Sequence, residues 1–256
     1  MNERFIIYLA ELVEVCERHP LVIGLVLMGS TADRKRVDEW SDHDFAVICV
    51  TGAEERLRDD LAWLPWHEDL VACTREDHDG FKGIYRDGSV IEFAVTPIAD
   101  LAGFHANAWE VAYGDDELTE TMRAVSRKKK PMDSVKTGRD ATVFLASLLI
   151  GVGRARRGEA LSASGSIRGL ALDHLLVLFR TFVPATQLER LDDLDQRRRF
   201  EVVYPRLALD IGLALEKPVE GCARDLLKIA EEQLGHWDGW PTEAAGVVRR
   251  RLGWQS

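Results

Sequence analysis

Apolar positions recur with two different periods along the chain, and the change of period divides it. Phe5, Ile6, Leu9, Leu12, Val13 and Cys16 stand three and four residues apart, which predicts an amphipathic helix over residues 3–18. His19-Pro20 ends it, because a residue before proline is pushed out of the helical region. Residues 21–28 form a nearly continuous aliphatic run of strand length, expected to be a buried strand. Gly29-Ser30 then turns the chain. Ser30-Thr31-Ala32-Asp33 fits a loose capping box, so a helix is expected to start there. Residues 44–50 predict a second strand, 54–64 a helix and 70–74 a third strand. Residues 81–85 and 89–95 flank Arg86-Asp87-Gly88, and an Asp-Gly pair between two such runs predicts a hairpin.

The pattern changes near residue 127. Arg127-Lys128-Lys129-Lys130-Pro131 is a charge run closed by a helix breaker. Beyond it, residues 138–153, 166–183, 198–216 and 220–235 all carry apolar positions at helical spacing. Pro184, Pro205, Pro218 and Pro241 punctuate these segments, and Pro205 is expected to divide the third. The chain thus reads as a mixed helix-and-strand half, residues 1–127, followed by a helical half, residues 128–256. It contains no internal repeat and no low-complexity segment.

Composition narrows the classes. A chain of 256 residues with 46% apolar content can bury one large core or two small ones. No run of 18 apolar residues exists, so no membrane span is expected. Met1-Asn2-Glu3-Arg4 is not a basic region leading into an apolar one, so no signal peptide is expected and the location reads as cytoplasmic. Cys16, Cys49, Cys73 and Cys222 are far apart and lie mostly in apolar contexts, which reads as buried free thiols rather than zinc ligands. A net charge of −10 argues against general nucleic-acid binding, which leans on basic surface. It suits a small or cationic partner.

The candidate chemistry lies in the first half. Asp42 and Asp44 stand at i and i+2 where a strand begins, so both carboxylates can aim at one point. Glu92 lies on the second arm of the expected hairpin. Ile91, Phe93 and Val95 take one face there, which leaves Glu92 on the other beside Val90 and Ala94. Three convergent carboxylates suit a hard divalent cation, and such cations handle phosphates. Gly29 allows close backbone approach to a ligand, and Ser30 adds a hydroxyl donor at a helix start that favours phosphate.

Gly29-Ser30, a spacer of residues 31–41, Asp42-His43-Asp44 and a later strand carboxylate together resemble the nucleotidyltransferase superfamily with the DNA polymerase β-type fold. The helical half that follows resembles, in broad architecture, the aminoglycoside nucleotidyltransferases of antibiotic resistance. The resemblance implies an α+β chain: an N-terminal nucleotidyltransferase fold, with a mixed sheet flanked by helices, followed by a C-terminal helical bundle. It implies Mg²⁺ held by Asp42, Asp44 and Glu92, and ATP or another nucleoside triphosphate whose phosphates lie on Gly29 and Ser30. The acceptor would be the hydroxyl of a small molecule such as an aminoglycoside, and the resemblance permits a homodimer. Glu92 stays open between metal ligand and general base. His43 departs from the pattern, where an aliphatic residue is more usual, and should face away from the metals.

Two other functional classes are compatible with the motif. One is nucleotidylation of a protein, as by antitoxin-like members, although these are typically shorter. The other is a non-catalytic binding module that kept the fold. Several further residues read as structural. His67-Glu68-Asp69 and Asp77-His78-Asp79 are polar loop residues, residues 128–130 a solvated linker, and residues 197–199 a solvated helix start. Arg168, Asp173 and His174 interrupt a Leu-rich segment, with Arg168 open between a phosphate contact and an ion pair linking the two halves. Trp40, Trp63, Trp66 and Trp109 read as packing residues that could also stack on a base or sugar.

Overall fold

β-Branched and aromatic runs in the first half pair into a six-stranded mixed sheet. The computed structural model describes residues 3–127, 137–192 and 195–254. The chain divides into two compact units, Met1–Lys130 and Pro131–Ser256.

In the first unit, helix α1 (Glu3–Arg18) leads into β1 (Val22–Met28), the short helix α2 (Gly29–Ala32), a 3₁₀ turn at Arg34–Arg36 and β2 (His43–Cys49). Helix α3 (Glu54–Asp59) follows, then β3 (Leu70–Arg75), β4 (Gly80–Tyr85), β5 (Val90–Pro97), β6 (Trp109–Tyr113) and helix α4 (Asp116–Arg127). The strand order is β3-β4-β5-β2-β1-β6. Strands β2 and β5 run parallel, and the other neighbours are antiparallel. Both faces of the centre are covered. Tyr8, Leu9 and Leu12 of α1 pack with Leu25, Leu27, Phe45, Val47, Phe93 and Val95. Leu118, Met122 and Val125 of α4 pack with Val26, Ala46 and Ile48 on the opposite face. Burial on both faces explains why β1 and β2 read as continuous apolar runs rather than alternating ones.

Several expectations are corrected at element ends. The helix expected to start at Ser30 begins at Gly29, spans four residues and has no side-chain cap. The helix expected to reach residue 64 stops at Asp59, because the Asp60 carboxylate accepts the Ala62 N–H at 3.0 Å and turns the chain. Strand β6 and helix α4 were not expected. Trp109–Tyr113 is half-buried throughout and shows no alternation, while α4 is mostly polar apart from Leu118, Met122 and Val125. The hairpin turns at Asp87-Gly88 as anticipated. Gly88 adopts φ +89° and Asp87 Oδ1 accepts both the N–H and the hydroxyl of Ser89.

The second unit is helical: α5 (Thr137–Arg156), α6 (Ala160–Ser164), α7 (Leu172–Phe182), α8 (Phe200–Val203), α9 (Pro205–Leu215), α10 (Val219–Leu234) and α11 (Thr242–Leu252). Its core joins Phe144 and Leu148 of α5 to Leu175 and Phe179 of α7, Leu226 and Ala230 of α10 and Leu252 of α11. Pro205 opens α9 and separates it from α8. Gly165–Ala171 is π-helical, and the Arg197 guanidinium donates to the carbonyls of Arg168 at 3.0 Å and Gly169 at 3.2 Å. Of the arginines read as a solvated helix start, Arg197 and Arg199 therefore also hold structure, while Arg198 is exposed. Arg197 also pairs with Asp173 at 2.7 Å, and Arg199 pairs at 2.7 Å with the buried Asp192. No helix among the described residues is long and apolar enough to cross a membrane.

Candidate active site

The parallel pairing of β2 and β5 places Asp44 directly opposite Glu92. Asp44 lies on the Ala46 and Ile48 face of β2, and Glu92 on the Ala94 face of β5. Asp42 stands one residue before β2. One carboxylate oxygen from each of Asp42, Asp44 and Glu92 lies within 4.8 Å of the other two, and all three residues are partly buried. Among the described residues, no other group of three His, Cys, Asp or Glu side chains converges in this way.

Gly29 and Thr31 set the position of the aspartates. Gly29 has φ +56°, and a Cβ built on it would stand 2.7 Å from Asp44 Oδ2. Glycine is therefore required twice, by its dihedral and by the carboxylate that presses against it. Its N–H donates to the Ala108 carbonyl at 3.0 Å, tying the turn to the segment before β6. Thr31 is fully buried. Its hydroxyl oxygen accepts the Asp44 N–H at 2.8 Å, and the hydroxyl donates to the Asp42 carbonyl at 3.4 Å. One side chain thus braces the backbone on both sides of His43. Ser30 is buried. With only four residues in α2, the helix dipole expected to favour phosphate is small.

The loop before Asp42 is fixed by its own side chains. Asp38 Oδ1 accepts the Trp40 N–H at 2.9 Å and the Ser41 hydroxyl at 3.1 Å, and Ser41 Oγ accepts the Asp38 N–H at 3.0 Å. Trp40 itself is 85% exposed. Trp63, Trp66 and Trp109 are partly buried, with the Trp63 indole N–H donating to the Leu57 carbonyl at 2.9 Å.

His43 points to the opposite face, as strand alternation requires. It is buried, stacked on Phe5 at 3.9 Å between ring centroids, with Nε2 3.3 Å from the Phe5 carbonyl. Burial pulls its pKa down to about 4, against smaller opposing hydrogen bonds. It is therefore a neutral core residue at pH 7. Glu92 carries an ion pair: Lys82 Nζ, on the adjacent strand β4, stands 2.8 Å from Glu92 Oε1. Lys82 pairs with Glu92 in the antiparallel β4–β5 register, so both side chains take the same face.

Two of these contributors, Thr31 and Lys82, were not singled out from the sequence. The pairing of Lys82 with Glu92 follows from the hairpin register once the Asp87-Gly88 turn is placed, so that signal was present. Thr31 left no such signal, because its partners are backbone groups of another strand. The remaining candidates lie elsewhere. His67, Glu68, Asp77, His78 and Asp79 are exposed, and Asp79 pairs with Arg75 at 2.7 Å. Arg168 donates to the Lys217 carbonyl at 2.7 Å and the Ser164 hydroxyl at 3.3 Å, and His174 pairs with Asp140 at 2.7 Å, all within the second unit. Residues 128–130 lie outside the described residues. Cys16, Cys49 and Cys222 are buried free thiols and Cys73 is half-buried, so none enters the site.

No protein-family model matches the chain, and no curated protein matches it. Among solved structures the chain is similar to an aminoglycoside 6-adenyltransferase from Bacillus subtilis, with 12% sequence identity and a TM-score of 0.34 over 96% of each chain.

Proposed function

We propose that this chain is a Mg²⁺-dependent nucleotidyltransferase. It would move a nucleoside monophosphate from ATP or another nucleoside triphosphate to the hydroxyl of a small molecule. The observation that carries this reading is the convergence of the Asp42, Asp44 and Glu92 oxygens within 4.8 Å, beside the Gly29-Ser30 turn. The donor set is all carboxylate oxygen, which fits a hard divalent cation and not a soft one.

In this reading Asp42 and Asp44 hold the cation, and Glu92 completes the ligand set or takes the proton of the attacking hydroxyl. The cation supplies charge neutralisation on the phosphate oxygens and on the departing pyrophosphate. The acceptor oxygen forms a bond to the α-phosphorus, the bond to pyrophosphate breaks, and the hydroxyl proton passes to Glu92 or to water. The Gly29-Ser30 turn would border the phosphates, while the space that Gly29 leaves is taken by Asp44 Oδ2 and so seats that carboxylate. Thr31 keeps Asp42 and Asp44 at fixed separation, which serves a reaction that depends chiefly on positioning and charge. The net charge of −10 favours a cationic acceptor, of which an aminoglycoside is one example.

A screen of hydroxyl-bearing acceptors with α-labelled triphosphates and Mg²⁺, read as transfer of label to the acceptor with release of unlabelled pyrophosphate, tests the proposal. Label on a small molecule, lost in the Asp42→Asn variant, is the expected result. Label on a polypeptide would replace it with protein nucleotidylation. Binding of nucleotide that is indifferent to Mg²⁺ and to all three carboxylates would replace it with a non-catalytic module.

A further inference from the structure

Lys82 holds Glu92, one of the carboxylates that a divalent cation would draw on. Its ammonium lies 2.8 Å from Glu92 Oε1, and Glu92 is one of three carboxylates whose oxygens gather within 4.8 Å. The register of β4 and β5 holds the two residues side by side, so the pairing is built into the sheet and does not depend on a loop. Both side chains are partly open to solvent, at 46% for Lys82 and 41% for Glu92, so exchange of partners needs no rearrangement of the core. At neutral pH a lysine side chain carries its positive charge.

Three carboxylates this close repel one another, and the Lys82 ammonium offsets that repulsion at Glu92. We propose that Lys82 is an internal competitor for the divalent cation: it neutralises Glu92 when no cation is present and weakens cation binding when one arrives. The inference rests on the reading of the trio as a cation site. A divalent ion must either take Glu92 from the ammonium or share the carboxylate with it. In both cases it meets a like charge a few ångströms away. The lysine thereby offsets the charge of Glu92 without metal, and sets the cation concentration at which the site fills.

The test is Mn²⁺ binding to the full chain without nucleotide, by calorimetry or by loss of the free-ion resonance signal. Wild type, Lys82→Met, Lys82→Arg and Asp42→Asn are compared at about 0.1 M salt, where charges a few ångströms apart are only partly screened. Removal of one positive charge about 5 Å from a divalent ion is expected to tighten binding about three- to tenfold. Lys82→Arg keeps the charge and should bind within about twofold of wild type, whereas Asp42→Asn should lose the site. A purely structural role for Lys82 would leave affinity unchanged or lower it in Lys82→Met. That outcome, with wild type still binding, overturns the inference and leaves the cation site standing. Absence of Mn²⁺ binding in wild type, with folding verified by circular dichroism, overturns both.

Discussion

At the scale of single residues, the site depends on side chains that make no chemistry of their own. Gly29 leaves room for Asp44 Oδ2, and Thr31 pins the backbone of both aspartates. Gly29→Ala would add a methyl group 2.7 Å from that oxygen in a left-handed backbone conformation, so Asp44 must move. A displacement of about 1 Å in such a site costs about a hundredfold in rate. The variant should therefore lose about that factor in turnover while its far-UV circular dichroism stays that of the wild type. His43 carries the opposite kind of prediction, on stability. Its folded pKa of about 4 lies below the unfolded value of about 6.5. Above pH 6.5 the imidazole is neutral in both states and costs nothing. Between 6.5 and 4 the unfolded chain takes up a proton that the folded chain refuses, so stability falls, by at most about 3 kcal/mol. Urea midpoints at pH 7 and pH 5 should separate in the wild type and separate less in His43→Leu. Asp42 and Asp44 were legible as a pair because alternation sends residues i and i+2 to one side, whereas the place of Glu92 beside them depends on the pairing of β2 with β5. Thr31 was not, because a buried threonine in a turn looks the same whether its hydroxyl meets its own backbone or that of another strand.

At the scale of elements, strong periodicity and turn chemistry survived folding, and weakly patterned segments did not show themselves. Helix α1 and strands β1, β2 and β5 fall within a residue or two of their expected bounds, since each carries a long apolar repeat. Strand β6 escaped because an edge strand of half-buried residues has no face to alternate against. The π-helical stretch Gly165–Ala171 escaped for a different reason: its carbonyls are satisfied by Arg197, almost thirty residues away in sequence. That stretch also packs closely on α5. A Cβ on Gly151 would stand 2.5 Å from Ile167 Cδ1, 2.7 Å from its Cγ1 and 3.2 Å from Ser166 Cβ. Ile167 is fully buried and has little room to give way. Gly151→Ala should destabilise the protein by about 1–3 kcal/mol, offset in part by better helix propensity, and chemical denaturation measures it.

At the scale of the whole molecule, two units of different architecture share one chain, and every residue of the candidate site belongs to the first. The change of hydrophobic pattern near residue 127 lies a few residues before the boundary between the units Met1–Lys130 and Pro131–Ser256. Nothing comparable marks the acceptor, because specificity resides in the shape and charge of a surface, which no short motif spells out. The central claim is that the trio forms a divalent-cation site that takes up a nucleoside triphosphate. It is tested most directly by calorimetric titration of ATP into the full chain with Mg²⁺, with chelator, and in the Asp44→Asn variant. Asp44 is partly buried and is the second residue of β2, so the variant is expected to fold, as a thermal melt would verify. The account predicts saturable binding with Mg²⁺ that is lost with chelator and lost in Asp44→Asn. Equal binding under all three conditions, or no binding by folded wild type, would contradict it.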